Sequence, residues 1–131
     1  MNIEYRRINH VTVNVPAGEH DKVRGFYGGV LGLKEIPFPK TLGSTYDLMW
    51  FEWCDILLHV DFTPPFFRPA ENRHAAFEVK DLPAVRRQYE SKGAEIREAV
   101  VIPDRDRFYV LDPFGNYFEI LEMKPQGGAG A

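Results

Sequence analysis

The sequence predicts an α+β fold: two tandem strand–helix–strand–strand–strand (βαβββ) modules that form a cupped mixed sheet with the helices outside. Three observations predict it. The 131 residues suit one domain and are too few for two independent cores plus a linker. The spacing of apolar positions gives the same order of elements twice along the chain. Each copy, about 55–60 residues, is too small to bury a good core alone, so the two should pack as one unit.

Module one covers about 5–62. Tyr5 to Val15 alternates and is rich in β-branched residues, so it reads as a strand, with Val11, Val13 and Val15 on one face and Ile8, His10, Thr12 and Asn14 on the other. Pro16 and Gly18 break it. From Glu19 to Leu31 the apolar positions Val23, Phe26, Tyr27, Val30 and Leu31 follow helical spacing. Gly28 and Gly29 weaken the last turn, and Gly32 is the expected stop. Leu33 to Ile36 reads as a short strand and Pro37 to Ser44 as a loop. Tyr46 to Trp53 and Ile56 to Val60 read as strands joined by a tight Cys54-Asp55 turn.

Residues 63–70 form a Pro-rich joint; the stretch DFTPPFFRPA from Asp61 to Ala70 holds three of the ten prolines. Module two, about 71–124, repeats the order. Arg73 to Val79 is a strand. Asp81 caps a helix from Leu82 to Lys92, and Gly93 is its C′ residue. Strands at Ala94 to Arg97, Arg107 to Leu111 and Tyr117 to Met123 follow. Residues 125–131, ending QGGAGA, read as a flexible tail.

Composition narrows the function. Apolar residues at 44% and charged residues at 27% are ordinary for a folded chain. A net charge of −3 gives no basic face for nucleic acid. No run of ~18 apolar residues spans a membrane, and the N-terminus lacks the apolar core of a signal peptide. The single Cys54 rules out an internal disulfide and fits a reducing compartment, so a cytoplasmic protein is expected. Aromatics reach 14%, more than a small core needs, and point to a pocket or a subunit interface.

Four residues fall at matching places of the repeat. His10 and His74 lie in the first strand of each module; His59 and Glu119 lie in the last. The separations agree, 49 residues from His10 to His59 and 45 from His74 to Glu119. A lone strand histidine is ordinarily a packed or exposed residue. Four such groups that a pseudo-two-fold could bring together suggest a divalent-metal centre, since imidazole and carboxylate suit Fe, Mn, Ni, Co or Zn. Secondary candidates are weaker. Arg105 and Arg107, alternating with Asp104 and Asp106, could hold an anion but read as a solvated loop. Trp50, Trp53, Phe66 and Phe67 could line a pocket, the core or a dimer surface. His20 is expected to be exposed, and Cys54 has no base beside it. Asp112 to Gly115 reads as a turn. Glu122 is out of phase with Glu119 and should face away from the cup.

The segments Ile8-Asn9-His10-Val11-Thr12-Val13, Phe26 to Leu33 (FYGGVLGL), His74 to Val79 (HAAFEV) and Phe108 to Glu119 (FYVLDPFGNYFE) carry a resemblance to the vicinal oxygen chelate superfamily. That group includes glyoxalase I, bleomycin-resistance proteins, fosfomycin-resistance enzymes and extradiol dioxygenases. The resemblance runs from about Tyr5 to Lys124 and implies the glyoxalase-like fold with one divalent metal in the cup. His10, His74 and Glu119 fall on the usual ligand positions. Position 59 is variable: bacterial glyoxalase I typically has Glu there, whereas this chain has His59, a fourth ligand or the acid–base group. The resemblance implies catalytic roles for His59, Tyr109 and Glu119. In extradiol dioxygenases the similar order is ligand His10, acid–base His59, ligand His74, ligand Glu119, with Tyr109 ten residues before Glu119. The further His of that class is absent, and Val100, Val101 and Ile102 occupy the stretch. Fosfomycin-resistance enzymes share His10, Thr12, Tyr109 and Glu119, but their basic residues have no match around Ala99 to Pro103. The expectation is a metal-dependent lyase, isomerase or dioxygenase acting on a small oxygen-chelating substrate, in a homodimer without nucleic-acid or membrane partners. The alternative is a metal-free protein that sequesters a drug or metabolite, as bleomycin-resistance proteins do.

Overall fold

The computed structural model describes residues 1–125, and the rest of the predicted tail lies outside them. Eight strands fall into two four-stranded mixed sheets of identical topology. The first holds β1 (His10–Asn14), β2 (Lys34–Ile36), β3 (Leu48–Trp53) and β4 (Ile56–Asp61) in the order β1-β4-β3-β2. The second holds β5 (His74–Glu78), β6 (Glu95–Glu98), β7 (Arg105–Leu111) and β8 (Tyr117–Met123) in the order β5-β8-β7-β6. In each sheet the edge strand that opens the module runs parallel to its last strand, and the other pairs are antiparallel. Helix α1 (His20–Val23) follows β1, and α2 (Leu82–Ser91) follows β5. This is the tandem βαβββ fold that the sequence predicts.

The chain divides into two compact units. The first contains Met1–Glu19 and Leu33–Phe66; the second contains His20–Gly32 and the chain from Phe67 onward. The helix after β1 is thus part of the second unit. Among the described residues, no helix is long and apolar enough to cross a membrane.

In the first unit β1 is shorter than its alternation suggests. It starts at His10, not Tyr5, because its partner runs out: His10 pairs with Leu57, and the Leu57 amide donates to the Asn9 carbonyl at 3.0 Å. β4 begins only at Ile56, after the turn, so residues before Asn9 have no strand to join, and Tyr5 and Ile8 stay exposed. The Cys54-Asp55 turn is present, with Cys54 in the left-handed region at φ 48°. The loop from Pro37 contains a 3₁₀ turn, Lys40–Leu42. Met49, Phe51, Trp53, Leu58 and Val60 form the buried face of this sheet. His10, Thr12, His59 and Trp50 lie on the other.

In the second unit the predicted first helix is an α-turn that continues as a π-helix, Arg24–Val30. Its sequence RGFYGGV contains three glycines, which weaken the tighter α geometry. The Leu31 amide donates to the Phe26 carbonyl, five residues back, at 2.9 Å. Tyr27 is fully buried, and its hydroxyl donates to Asp112 at 2.7 Å. His20, the first helical residue, is half-buried rather than exposed.

Helix α2 starts as predicted: Asp81 accepts from the Ala84 amide at 3.2 Å. A second cap comes from β8, where Glu122 accepts from the Asp81 and Leu82 amides at 3.0 and 2.9 Å. Glu122 therefore faces away from Glu119, as its phase requires. The helix ends at Gly93 with φ 79°. Phe77, Phe108, Val110, Phe118 and Ile120 fill the buried face of this sheet.

Candidate active site

The four repeat-related residues stand on the polar faces of the two sheets, two in each unit. In the first unit Thr12 pairs with His59 across the parallel β1–β4 ladder, and Trp50 pairs with His59 across the antiparallel β3–β4 ladder. His10 is two residues from Thr12, so it projects from the same face. The result is a three-ring stack. His59 lies 3.9 Å from His10, centroid to centroid and 14° from parallel, and 4.0 Å from Trp50 at 2°. Burial first, then the neighbouring His10, pushes the His59 pKa below the usual imidazole value, which favours the neutral ring. His59 Nε2 and Trp50 Nε1 are buried and have no hydrogen-bond partner. His10 differs: its Nδ1 lies 2.9 Å from Asn9 Oδ1, so a hydrogen bond sets its ring.

In the second unit the register places Ala76 beside Glu119 and Glu119 beside Tyr109. His74, Glu119, Tyr109 and Arg107 therefore share one face. His74 Nε2 lies 3.2 Å from Glu119 Oε1, with side chains only 23% and 10% exposed. Glu119 is held in central strand β8 and is one of four buried polar or charged residues among those described. A carboxylate there needs positive partners. Arg107 supplies the positive charge, its Nη1 lying 3.5 Å from Glu119 Oε1, and His74 Nε2 lies within hydrogen-bond distance.

Arg107 corrects one expectation. The predicted strand from Arg107 begins two residues earlier, at Arg105, so the run read as a solvated loop is part of β7, which stays paired to β8 as far as Arg105–Met123. The Arg107 side chain is 13% exposed. Nη1 donates to the Tyr109 hydroxyl at 2.9 Å, while Nε and Nη2 donate to the Val100 carbonyl at 3.2 and 2.7 Å. Arg105 instead grips the buried Asp104 with two bonds of 2.7 and 2.8 Å, which hold the Asp104 carboxyl below its usual range. The Tyr109 ring stands edge-on to His74 at 5.2 Å. Among the secondary aromatics, Trp53 is core, Phe67 is exposed and Trp50 stacks on His59. Cys54 donates weakly to its neighbour Asp55 and has no base beside it.

The donor set has the composition a divalent metal takes, three imidazoles and a carboxylate. In the second unit His74 and Glu119 bring a nitrogen and an oxygen together, a donor pair that fits a metal, whereas in the first unit the His10 and His59 rings stack face to face. The donors occur as two pairs; among the described residues no group of three or more His, Cys, Asp or Glu is gathered closely enough to hold an ion.

No protein-family model matches the chain, and no curated protein matches it. Solved structures do. A glyoxalase family protein from Bacillus anthracis is 35% identical, with a TM-score of 0.88 and an alignment covering 95% of this chain and all 100% of that one. A glyoxalase/dioxygenase from Nostoc punctiforme is 23% identical, with a TM-score of 0.73 and coverage of 91% and 92%. A genomically encoded fosfomycin resistance protein from Listeria monocytogenes is 15% identical, with a TM-score of 0.75 and coverage of 95% and 96%. The last two share the fold; the first shares sequence as well over nearly its whole length. The chain therefore belongs to the glyoxalase family, within the vicinal oxygen chelate superfamily.

Proposed function

We propose that this glyoxalase family protein is a divalent-metal-dependent enzyme acting on a small substrate that presents two adjacent oxygens. The observation that carries the reading is the meeting of His74 Nε2 and Glu119 Oε1 at 3.2 Å on the polar face of the second sheet. A buried carboxylate held between an imidazole and a guanidinium is costly to keep unless it has a use. His10, His59, His74 and Glu119 are the proposed ligands. When bound, the metal would act as a Lewis acid on the substrate oxygens.

The chain's own groups divide the remaining work. The Tyr109 hydroxyl accepts from Arg107, which leaves its own proton to donate to a substrate oxygen. Arg107 balances the charge of Glu119 and fixes the Tyr109 hydroxyl in place. The neutral His59 ring offers a lone pair.

The test is the metal content of protein purified without added metal, alongside His10→Ala and His74→Ala. Wild type should carry close to one ion per chain and each variant should lose it. Unchanged metal content in both variants would overturn the metal centre and favour a metal-free binding protein. Two reactions can then be assayed. Anaerobic Fe(II) loading followed by catechol and O₂ gives a yellow product if the enzyme cleaves rings. Turnover of a methylglyoxal–thiol adduct without that product marks glyoxalase-type chemistry instead.

A further inference from the structure

We propose that the groove beside Arg107 in the second unit is a binding subsite for an uncharged apolar group, the hydrocarbon part of the substrate whose oxygens meet Tyr109. This inference rests on the adjacent-oxygen reading of the substrate above and names the chemistry of the rest of that molecule.

The groove exists because two strands part. β6 pairs with β7 only as far as Glu98 beside Phe108, whereas β7 begins at Arg105. Residues 99–101 leave the ladder, and the chain returns at a bridge between Ile102 and Arg105. The space left is a groove of about 340 Å³, a size that small-molecule sites have. Its apolar walls are Leu82 and Pro83 at the start of α2, Phe108, and residues 99–102. Val100 and Val101 are each 83% exposed. Two adjacent apolar side chains held open to water gain by being covered.

Charge decides the kind of occupant. Every charged side chain in the walls already faces an opposite charge from this chain. Arg86 is bonded to Glu98, and Arg105 grips Asp104. Arg107 lies 3.5 Å from Glu119, and Asp106 lies 3.9 Å from Lys124. An ionic occupant would give up its hydration and find no free countercharge. An uncharged apolar occupant gives up little and covers the valines.

Arg107 ties the groove to the candidate site. It lines the groove, its Nε and Nη2 donate to the Val100 carbonyl, and its Nη1 donates to the Tyr109 hydroxyl at 2.9 Å. One rigid, planar fork therefore holds both the loop and the phenol. A molecule whose oxygen accepts from Tyr109 has the groove beside it. Val100 meets Arg107 through its backbone alone, which leaves its side chain to the ligand.

The experiment is an NMR titration of the full chain, methyl-labelled at Ile, Leu and Val, with cyclohexanol. Saturable shifts are expected at Leu82, Val100, Val101 and Ile102. Absent or non-saturable shifts at these methyls would overturn the proposal. Val100→Ser/Val101→Ser keeps the backbone carbonyl and should weaken cyclohexanol binding about tenfold. Unchanged affinity would put the ligand elsewhere and overturn the proposal. Circular dichroism checks folding, and Val100→Thr/Val101→Thr replaces the serine pair if that pair does not fold. The link to the substrate is read with catechol and 4-tert-butylcatechol. Wild type should bind the alkyl compound about tenfold more tightly, and the ratio should fall to about one in the double variant. Equal binding of the two by wild type would overturn the assignment of the groove to the substrate. So would tighter binding of 3,4-dihydroxybenzoate, which carries an anion in place of the alkyl group. A chain that binds cyclohexanol in the groove but neither catechol would keep the groove and overturn the adjacent-oxygen reading. One that binds both catechols equally and no cyclohexanol would do the reverse.

Discussion

The Tyr27 hydroxyl donates to the Asp112 carboxylate at 2.7 Å from 85 residues away in the chain, and the phenol is sealed from solvent. Burial, reinforced by the Asp112 charge and by the hydrogen bond itself, pushes the Tyr27 pKa well above the ordinary 10.0. In the unfolded chain Tyr27 ionises near its ordinary value; in the fold it cannot. Its contribution is therefore complete below that pH and is lost as the pH rises past it, by up to about 1.4 kcal/mol per pH unit. Tyr27→Phe should cost about 2 kcal/mol at neutral pH, through the loss of a bond to a charged acceptor. It should also flatten the alkaline fall in stability. Urea unfolding of both proteins between neutral pH and pH about 11 checks both effects.

Gly115 is held chiefly by its backbone conformation, since the side chain nearest to it is the movable end of the exposed Arg68. The Gly115 φ is 93°, and a Cβ placed there would come within 2.7 Å of the Arg68 guanidinium carbon. Gly115→Ala should destabilise by about 1–3 kcal/mol. Adding Arg68→Ala should recover only the part due to the contact, so the pair should be non-additive while a residual cost from backbone strain remains. A double-mutant cycle in urea measures it.

Glu122 caps α2 across the sheet. Glu122→Ala removes the acceptor for two helix amides and should cost about 1–2 kcal/mol. Glu122→Gln, which keeps an oxygen but loses the charge near the helix N-terminus, should cost less. The expected readout is early amide exchange at Asp81 and Leu82 in the alanine variant.

Arg107→Met should destabilise by about 2 kcal/mol, because it leaves a nearly buried Glu119 without its guanidinium partner and the Tyr109 hydroxyl without its donor. Arg107→Lys should not restore the loss. One ammonium cannot reach the Val100 carbonyl, the Tyr109 hydroxyl and Glu119 together. Equal stability of wild type and the lysine variant would contradict this reading.

Much of the arrangement can be read from alternation alone. A period of two sorts Val11 and Val13 from His10 and Thr12, and it separates Glu119 from Glu122. Asp81 and Gly93 bound α2 by their chemistry. Even the Trp50–His59 stack is present in the sequence as a count: a two-residue turn at Cys54-Asp55 pairs Trp53 with Ile56, and stepping back three residues on each strand pairs Trp50 with His59. Other features depend on partners distant in the chain. β1 loses its first half because β4 begins late, which the alternation of residues 5–9 does not reveal. The π-helix reflects glycine content together with the anchoring of Tyr27 at Asp112. Arg107 looked like a solvated charge because neither its distant neighbour Glu119 nor its carbonyl partner at Val100 is encoded in local periodicity.

Asp112 has a consequence for the chemistry of the site. Besides the Tyr27 hydroxyl, its carboxylate accepts from the Phe114 and Asn116 amides, each at 2.8 Å, and from Asn116 Nδ2 at 2.7 Å. These bonds fix the length of the β7–β8 turn, and the turn sets which residue of β8 faces Tyr109. A slip of one position would replace the Glu119 carboxylate with Phe118 or Ile120 and turn the carboxylate into the core. Asp112 is thus a register pin: a residue that touches none of the candidate ligands keeps one of them on the correct side of the sheet.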